Sequence, residues 1–246
     1  MTKTIILIPS RLAATRLPNK PLLKINGLSI INHVYQKAES AEIGDTYVAT
    51  GDERIYEEVT KNGGKCILTE KNHKTGTDRI FEALQKLNNK KVDYVINLQG
   101  DEPMIDIEDV KNLHKQAINN KSEIATLACE IKNEIMFSKN HIVKVISEEK
   151  ISKDSITKAK NFLRKVLQNN QENVYHHIGI YLYKVSILEK FVNLKQTENE
   201  ISQKLEQLRA MENNILIDVI LANSSPIGVD TQKDYMEIKK LMEYKN

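Results

Sequence analysis

Arg11, Arg16 and Lys20 fall within one ten-residue stretch that also carries Pro18 and is flanked by Pro9 and Pro21. Two guanidiniums offer planar forks for phosphate oxygens, and the ammonium offers a compact point charge. The stretch follows Ile5–Ile8, an apolar, mostly β-branched run broken at Pro9, the composition of a strand buried on both faces. In α/β folds a buried strand that opens into a cationic loop is a usual place for a phosphorylated ligand. Taken alone, the loop fits a solvated basic surface equally well.

Carboxylates come from two later segments. Gln99-Gly-Asp-Glu-Pro103 directly follows the apolar run Val92–Leu98, and its Asp101 and Glu102 are hard oxygen donors of the kind Mg²⁺ takes beside substrate phosphates. A strand–turn with a helix-capping acid explains the same residues. Gly228-Val-Asp-Thr231 opens the last helical segment, where Asp230 or Thr231 serves as an N-cap or Asp230 shares a cation with Asp101. Thr75-Gly-Thr-Asp-Arg79 stands at a helix start, suited to an anion or a ligand hydroxyl with help from Arg79, or simply a capped helix. Neither GxxxxGK[ST] nor GxGxxG occurs, which removes support for a P-loop NTPase or a dinucleotide-binding oxidoreductase. The adjacent His176 and His177 point to opposite faces of a strand, so one metal does not easily take both.

These residues need a frame, and the pattern supplies one. Strands are expected at Thr4–Ile8, Asp45–Thr50, Lys65–Leu68, Val92–Leu98 and Ile124–Cys129, and helices at Ser29–Ser40, Asp52–Lys61 (Asp52 as N-cap), Thr77–Leu87 and Asp106–Asn120. Such alternation implies βαβ units and a mostly parallel central sheet flanked by helices. Beyond Ile142 the pattern loosens. Strands are read at Val143–Ser147, Ile178–Tyr183 and Ile215–Leu221, and helices around Thr157–Leu167, at Ile201–Asn213 and at Gln232–Tyr244. We expect one domain over 1–246, with a smaller sub-domain inserted at about 130–200.

Composition narrows the function. The net charge is +3, from 36 Lys and Arg against 33 Asp and Glu, too balanced for non-specific nucleic-acid binding. Trp is absent and only four Phe are present, so no platform for stacking single-stranded bases is evident. Cys66 and Cys129 are far apart, with no CxxC, as expected of buried free thiols in a reducing compartment. No run approaches membrane-spanning length and no signal layout precedes the first strand. A cytoplasmic protein, with neither membrane nor nucleic acid as partner, is the expectation.

Together the motifs resemble one family, the 3-deoxy-manno-octulosonate (Kdo) cytidylyltransferases. The resemblance rests on Ile8-Pro-Ser-Arg11 with Thr15-Arg-Leu-Pro-Asn-Lys-Pro21, Gly76-Thr-Asp-Arg79, Gln99-Gly-Asp-Glu-Pro103, His177-Ile-Gly-Ile-Tyr-Leu-Tyr183, Leu205-Glu-Gln-Leu-Arg209 and Gly228-Val-Asp-Thr231. Each is weak alone; in this order they are specific. The resemblance implies a Rossmann-like nucleotide-diphospho-sugar transferase fold and a Mg²⁺-dependent homodimer that joins CTP to an acidic 3-deoxy-ulosonate sugar. It also implies that Arg11, Arg16 and Lys20 hold the triphosphate, with Arg11, Lys20 and Asp101 catalytic. Arg79 and Gln99 lie near the nucleotide or the sugar, Asp101 and Asp230 bind the metal, and His177, Tyr181, Glu206 and Gln207 line the sugar pocket. The sub-domain is expected to contribute that pocket and the dimer contacts.

One segment departs from the pattern. Where the family carries Tyr-Phe-Ser-Arg followed by Ile-Pro, the stretch taken as equivalent reads Lys150-Ile-Ser-Lys-Asp-Ser-Ile-Thr157. There Lys153 replaces the arginine, giving a point charge in place of a fork, with Arg164 as a further candidate. The sugar is therefore open between Kdo, its 8-amino analogue and another acidic sugar. A non-catalytic paralogue that only binds CTP is the rival from outside enzymology.

Overall fold

The computed structural model describes residues 2–13, 16–87, 91–153, 155–166, 172–223, 225 and 227–244. They fall into two compact units, Met1–Glu108 with Pro226–Asn246, and Asp109–Ser225.

The first unit is built around β1 (Thr4–Ser10), in which six of seven residues are buried. After a short hairpin of β2 (Lys24–Ile25) and β3 (Leu28–Ser29) come α1 (Ile30–Ser40), β4 (Thr46–Thr50), α2 (Glu53–Lys61), β5 (Cys66–Leu68), α3 (Gly76–Lys86) and β6 (Tyr94–Asn97). The strands lie in the order β5-β4-β1-β6 and every pairing among them is parallel, with Ile6 opposite Thr46 and Thr4 opposite Tyr94. Covering both faces of a parallel sheet buries its strands, so β1, β4 and β6 read as continuous apolar runs. Helix α1 presents Ile30, Ile31, Val34 and Ala38 inward, the stripe expected from the sequence.

The second unit begins within α4 (Ile107–Asn120) and continues through β7 (Ile124–Cys129), α5 (Ile135–Ser138), β8 (Lys144–Ser147), β9 (Thr157–Leu163), β10 (Val174–Lys184), α6 (Val185–Val192), α7 (Glu198–Gln203), α8 (Gln207–Glu212) and β11 (Ile217–Leu221). Its strands run β10-β7-β11-β9-β8, and β8 also pairs with β10, so the pairings close on themselves. Only β7 and β11 are parallel; the other pairings are antiparallel. The closure depends on β10, which pairs with β8 at Val174–His176 and with β7 from His176 onward, across an irregularity between Ile178 and Tyr181. Inside this circuit His177 meets Thr126 Oγ1 through Nε2 at 3.0 Å and the Phe162 ring edge-on at 5.0 Å. Burial, with a smaller push from His176, lowers the His177 pKa to about 3.

From Pro226 the chain returns to the first unit and ends in α9 (Gln232–Glu243). Among the described residues no helix is long and apolar enough to cross a membrane.

Two sequence expectations are corrected. Residues 157–163 form strand β9, not a helix; Leu167 lies outside the described residues. Pairing with β8 and β11 overrides a stretch that has no helical apolar stripe. The helix expected at Ile201–Asn213 is two helices, α7 and α8, broken at Lys204 in the left-handed conformation (φ 53°). The break serves a buried ion pair. In a continuous helix nine residues would separate Glu200 and Arg209 by roughly 13 Å of rise, whereas here Arg209 donates to both Glu200 oxygens at 2.9 and 2.8 Å.

Removing one partner of a buried pair strands the other charge, which costs about 3–5 kcal/mol. Glu200→Ala is therefore expected to lower the unfolding free energy by that amount in urea denaturation, and a loss under about 1 kcal/mol would refute the clamp. A histidine whose folded pKa lies below its unfolded value destabilises the fold as pH falls. For His177 the loss begins near the ordinary 6.5 and ends near 3, at about 1.4 kcal/mol per pH unit. NMR should show the His177 ring resonances flat down to pH 5; titration near 6.5 would contradict its burial.

Candidate active site

The first unit contains a cleft of about 340 Å³ lined by Arg11, Arg16, Lys20, Arg79, Gln99, Asp101 and Asp230, among others. Strand β1 delivers the cationic loop. It does not break at Pro9 but runs on to Ser10, paired with Thr50. Ile6 bonds toward β4 and Leu7 toward β6, so by alternation the missing N–H of Pro9 falls on the β6 side. Pairing with β6 ends there at Leu7–Asn97, and no ladder bond is lost.

Beyond β1 the backbone N–H of Leu12 donates to Asp52 Oδ2 at 2.9 Å. Thr15 of the sequence motif lies outside the described residues. Asn19 adopts the left-handed conformation (φ 54°), which asparagine tolerates better than most residues. That turn opens the single 3-10 turn Lys20–Leu22. Leu17 is buried in one cluster with Ile25, Ile30, Val229 and Ile238.

The acids arrive on two other loops. Gly100 sits against β1: a Cβ there would lie 3.0 Å from the Pro9 carbonyl oxygen and 3.2 Å from Ile31 Cδ1, so a side chain would push the Asp101 loop away. The Asp101 carbonyl accepts from Val229 N–H at 2.9 Å, fastening this loop to the segment that carries Asp230. The N-cap of α9 is Thr231, which forms a reciprocal capping box with Asp234. Asp230 is thus not needed as a cap, and its carboxylate turns to the cleft.

There Lys20 Nζ lies 2.5 Å from Asp101 Oδ2 and 3.3 Å from Asp230 Oδ1, while an Arg16 Nη lies 3.1 Å from Asp230 Oδ2. Two carboxylates from distant parts of the chain converge on one cation. Among the described residues no group of three or more His, Cys, Asp or Glu could hold a metal, so a cation bound here would meet these two carboxylates without a larger cluster around it. The pair matches Mg²⁺, which commonly takes one or two carboxylates and completes its shell with phosphate and water oxygens.

Glu102 does not join them. The residue is half-buried, its Oε2 is shielded from solvent with no hydrogen-bond partner among the described residues, and burial, then the Asp101 charge, raises its pKa to about 8. The cleft residues Thr75 and Gly76 open α3, whose capping box joins Thr75 to Asp78. Arg79 is buried and donates to Thr69 Oγ1 at 2.6 Å and to the Glu70 and Lys71 carbonyls at 3.0 Å each, so it braces the loop before α3. Burial lowers its pKa.

His73, overlooked in the sequence, also lines the cleft and contacts Glu82 through Nε2 at 2.5 Å. Glu82 accepts from Glu70 N–H and from Lys86 as well. A lone histidine in a loop carries no periodic signal, which is why pattern reading passes over it.

The residues implied for a sugar lie in the second unit. His177 and Tyr181 are neighbours, with ring centroids 5.4 Å apart. The Tyr181 hydroxyl is buried with no hydrogen-bond partner among the described residues; burial first, and the nearby Tyr183 and Glu206 next, raise its pKa. Gln207 is buried, and Glu206 lies 3.4 Å from Arg209. His176, on the opposite face of β10, lines a separate cavity with Lys153.

Arg164 donates to the carbonyls of Gln203, Asn140 and Lys204 at 2.6, 3.0 and 2.9 Å.

Known proteins match the chain along nearly its whole length. Residues 5–218 match the cytidylyltransferase family. The 3-deoxy-manno-octulosonate cytidylyltransferase of Brucella anthropi is 42% identical over 233 residues, 94% of this chain and 93% of that one. Its counterpart in Rhodopseudomonas palustris is 41% identical over 99% of both chains. A solved structure of CMP:2-keto-3-deoxy-manno-octonic acid synthetase complexed with CTP superposes with a TM-score of 0.90 at 34% identity, covering 100% of both chains. A UDP-glucose pyrophosphorylase, 15% identical with a TM-score of 0.72, covers 100% of both chains and shares the fold alone. The chain belongs to the cytidylyltransferase family, among its 3-deoxy-manno-octulosonate cytidylyltransferases.

Proposed function

We propose that this protein transfers CMP from CTP to the anomeric hydroxyl of Kdo, giving CMP-Kdo, pyrophosphate and a proton, on the way to lipopolysaccharide. The observation that carries this reading is the convergence of Lys20 on Asp101 and Asp230 within a cleft walled by Arg11 and Arg16. Cations for a triphosphate and carboxylates for its counter-ion occupy one small volume.

The hydroxyl attacks the α-phosphorus in line, a new P–O bond forms, and the bond to the β-phosphate breaks with pyrophosphate leaving. Such transfers need positioning and charge neutralisation more than covalent help. Arg11, Arg16 and Lys20 grip the β- and γ-phosphates and offset the charge gathering on pyrophosphate. Asp101 and Asp230 would hold Mg²⁺, whose chemistry is to polarise the α-phosphate. Lys20, which pairs with both acids here, would then be available to the phosphates. Gln99 and Arg79 lie toward the nucleotide, with Arg79 acting chiefly by bracing its loop. His177, Tyr181, Glu206 and Gln207 take the sugar, and the unpartnered Tyr181 hydroxyl suits a sugar oxygen. The same reading carries a homodimer, which light scattering reads directly, and a cytoplasmic setting, where CTP is made.

Pyrophosphate release is expected only with CTP, Kdo and Mg²⁺ together, and EDTA should abolish it. No release with Kdo, its 8-amino analogue or other acidic sugars would refute the enzyme and leave a CTP-binding protein. Asp101→Asn and Asp230→Asn should each lower kcat by about 10²–10³-fold, the scale of a lost charge-stabilising contact, with unfolding midpoints near wild type. Near-normal turnover in either variant would remove that residue from the metal assignment.

A further inference from the structure

Asp52 stands at the N-cap of α2 in extended backbone (φ −110°, ψ 114°), yet its side chain makes no capping bond. An N-cap aspartate ordinarily accepts from the helix's own first amides, a bond worth about 1 kcal/mol. Here Oδ2 accepts from Leu12 N–H, forty positions away. Helix α2 forgoes a local stabilisation, and such departures from local preference concentrate at functional sites.

The Asp52 backbone is held on both sides. Its N–H donates to Thr50 Oγ1 at 3.1 Å. Its carbonyl accepts from Ile55 and Tyr56 N–H at 3.0 and 3.1 Å. The preceding Gly51 lies so close to the next loop that a Cβ would come within 2.7 Å of the Glu70 carbonyl oxygen. The carboxylate therefore starts from a fixed point.

What it fixes is the exit of β1. Pairing with β4 ends at Ser10, Arg11 follows, and the Leu12 amide is tied to Asp52. Charge adds a second reason. Arg11 disfavours the buried Arg79 cation, while Asp52 favours it, so at Arg79 the Asp52 carboxylate offsets the neighbouring Arg11 charge.

We propose that Asp52 is a positioning residue for the triphosphate, orienting the Ser10–Leu12 turn so that Arg11 faces the phosphates and offsetting the repulsion between Arg11 and Arg79. The proposal rests on the CTP reading above. Asp52 touches no reacting atom.

Calorimetry on the full chain with Mg²⁺ tests it, using CTP and CMP as ligands. Asp52→Ala removes both charge and acceptor and should weaken CTP binding about tenfold, the scale of one lost hydrogen bond near charge, with CMP affected less than about twofold. Asp52→Asn keeps an oxygen for Leu12 and should recover CTP affinity to within about threefold of wild type. Equal losses for CTP and CMP, with no recovery in Asp52→Asn, would reduce Asp52 to a structural residue and overturn the proposal, as would unchanged CTP affinity in Asp52→Ala. Wild-type protein that fails to bind CTP at all would overturn the nucleotide reading itself, and this proposal with it.

Discussion

The Lys20 ammonium is the point on which the cleft turns. Three cations crowded into one loop repel each other, and so do two carboxylates brought together from separate loops. Interleaving them removes both penalties: Lys20 sits between Asp101 and Asp230, and Arg16 flanks Asp230. Lys20 is also the most shielded of the four, with only 14% of its side chain exposed against 65% for Arg16. Its attraction to the acids is therefore least weakened by water.

Magnitudes decide whether these ion pairs assemble the loops or the loops assemble them. An exposed pair such as Arg16–Asp230 contributes about 0–1 kcal/mol. Burying one leucine, isoleucine or valine contributes about 1.5–3 kcal/mol, and the cluster beneath has five such residues. Two of them, Leu17 and Val229, immediately precede or follow a charged residue of the cleft: Arg16 stands before Leu17, and Asp230 after Val229. Packing of the apolar member in each pair fixes where the charged member emerges. The charges are placed by the core, which leaves them exchangeable for a ligand's.

Much of this could be read from residue order. The alternation through the first 130 residues gave the parallel strands, because strands buried on both faces leave an unbroken apolar signature. The cleft residues were legible as charged and turn-forming segments at strand ends, each explicable alone as a surface loop or a cap, and it was their shared order with one family that singled them out. The reading failed where structure comes from contacts that the local period does not encode. Strand β9 follows from pairing with β8 and β11, and no local period announces it. The break at Lys204 follows from Glu200 reaching Arg209, which a run of good helix formers conceals. Asp52 was legible as an N-cap and occupies that position, but its real partner, Leu12, lies on another element. The place of His73 in the cleft and the unpartnered Oε2 of Glu102 required the fold.

The return of the chain from Pro226 to the first unit also bears on biosynthesis. Arg16 and Lys20 leave the ribosome early, while Asp230 lies beyond the whole second unit in the chain. Until the segment carrying Val229, Asp230 and Ile238 emerges, the cationic loop lacks one acid partner, and Leu17 lacks two members of its cluster. A nascent or prematurely ended chain can thus contain every parallel strand of the first unit and still have a half-built cleft. The cleft is thus completed by a segment translated after the whole second unit, and its assembly registers that synthesis has passed Asp230.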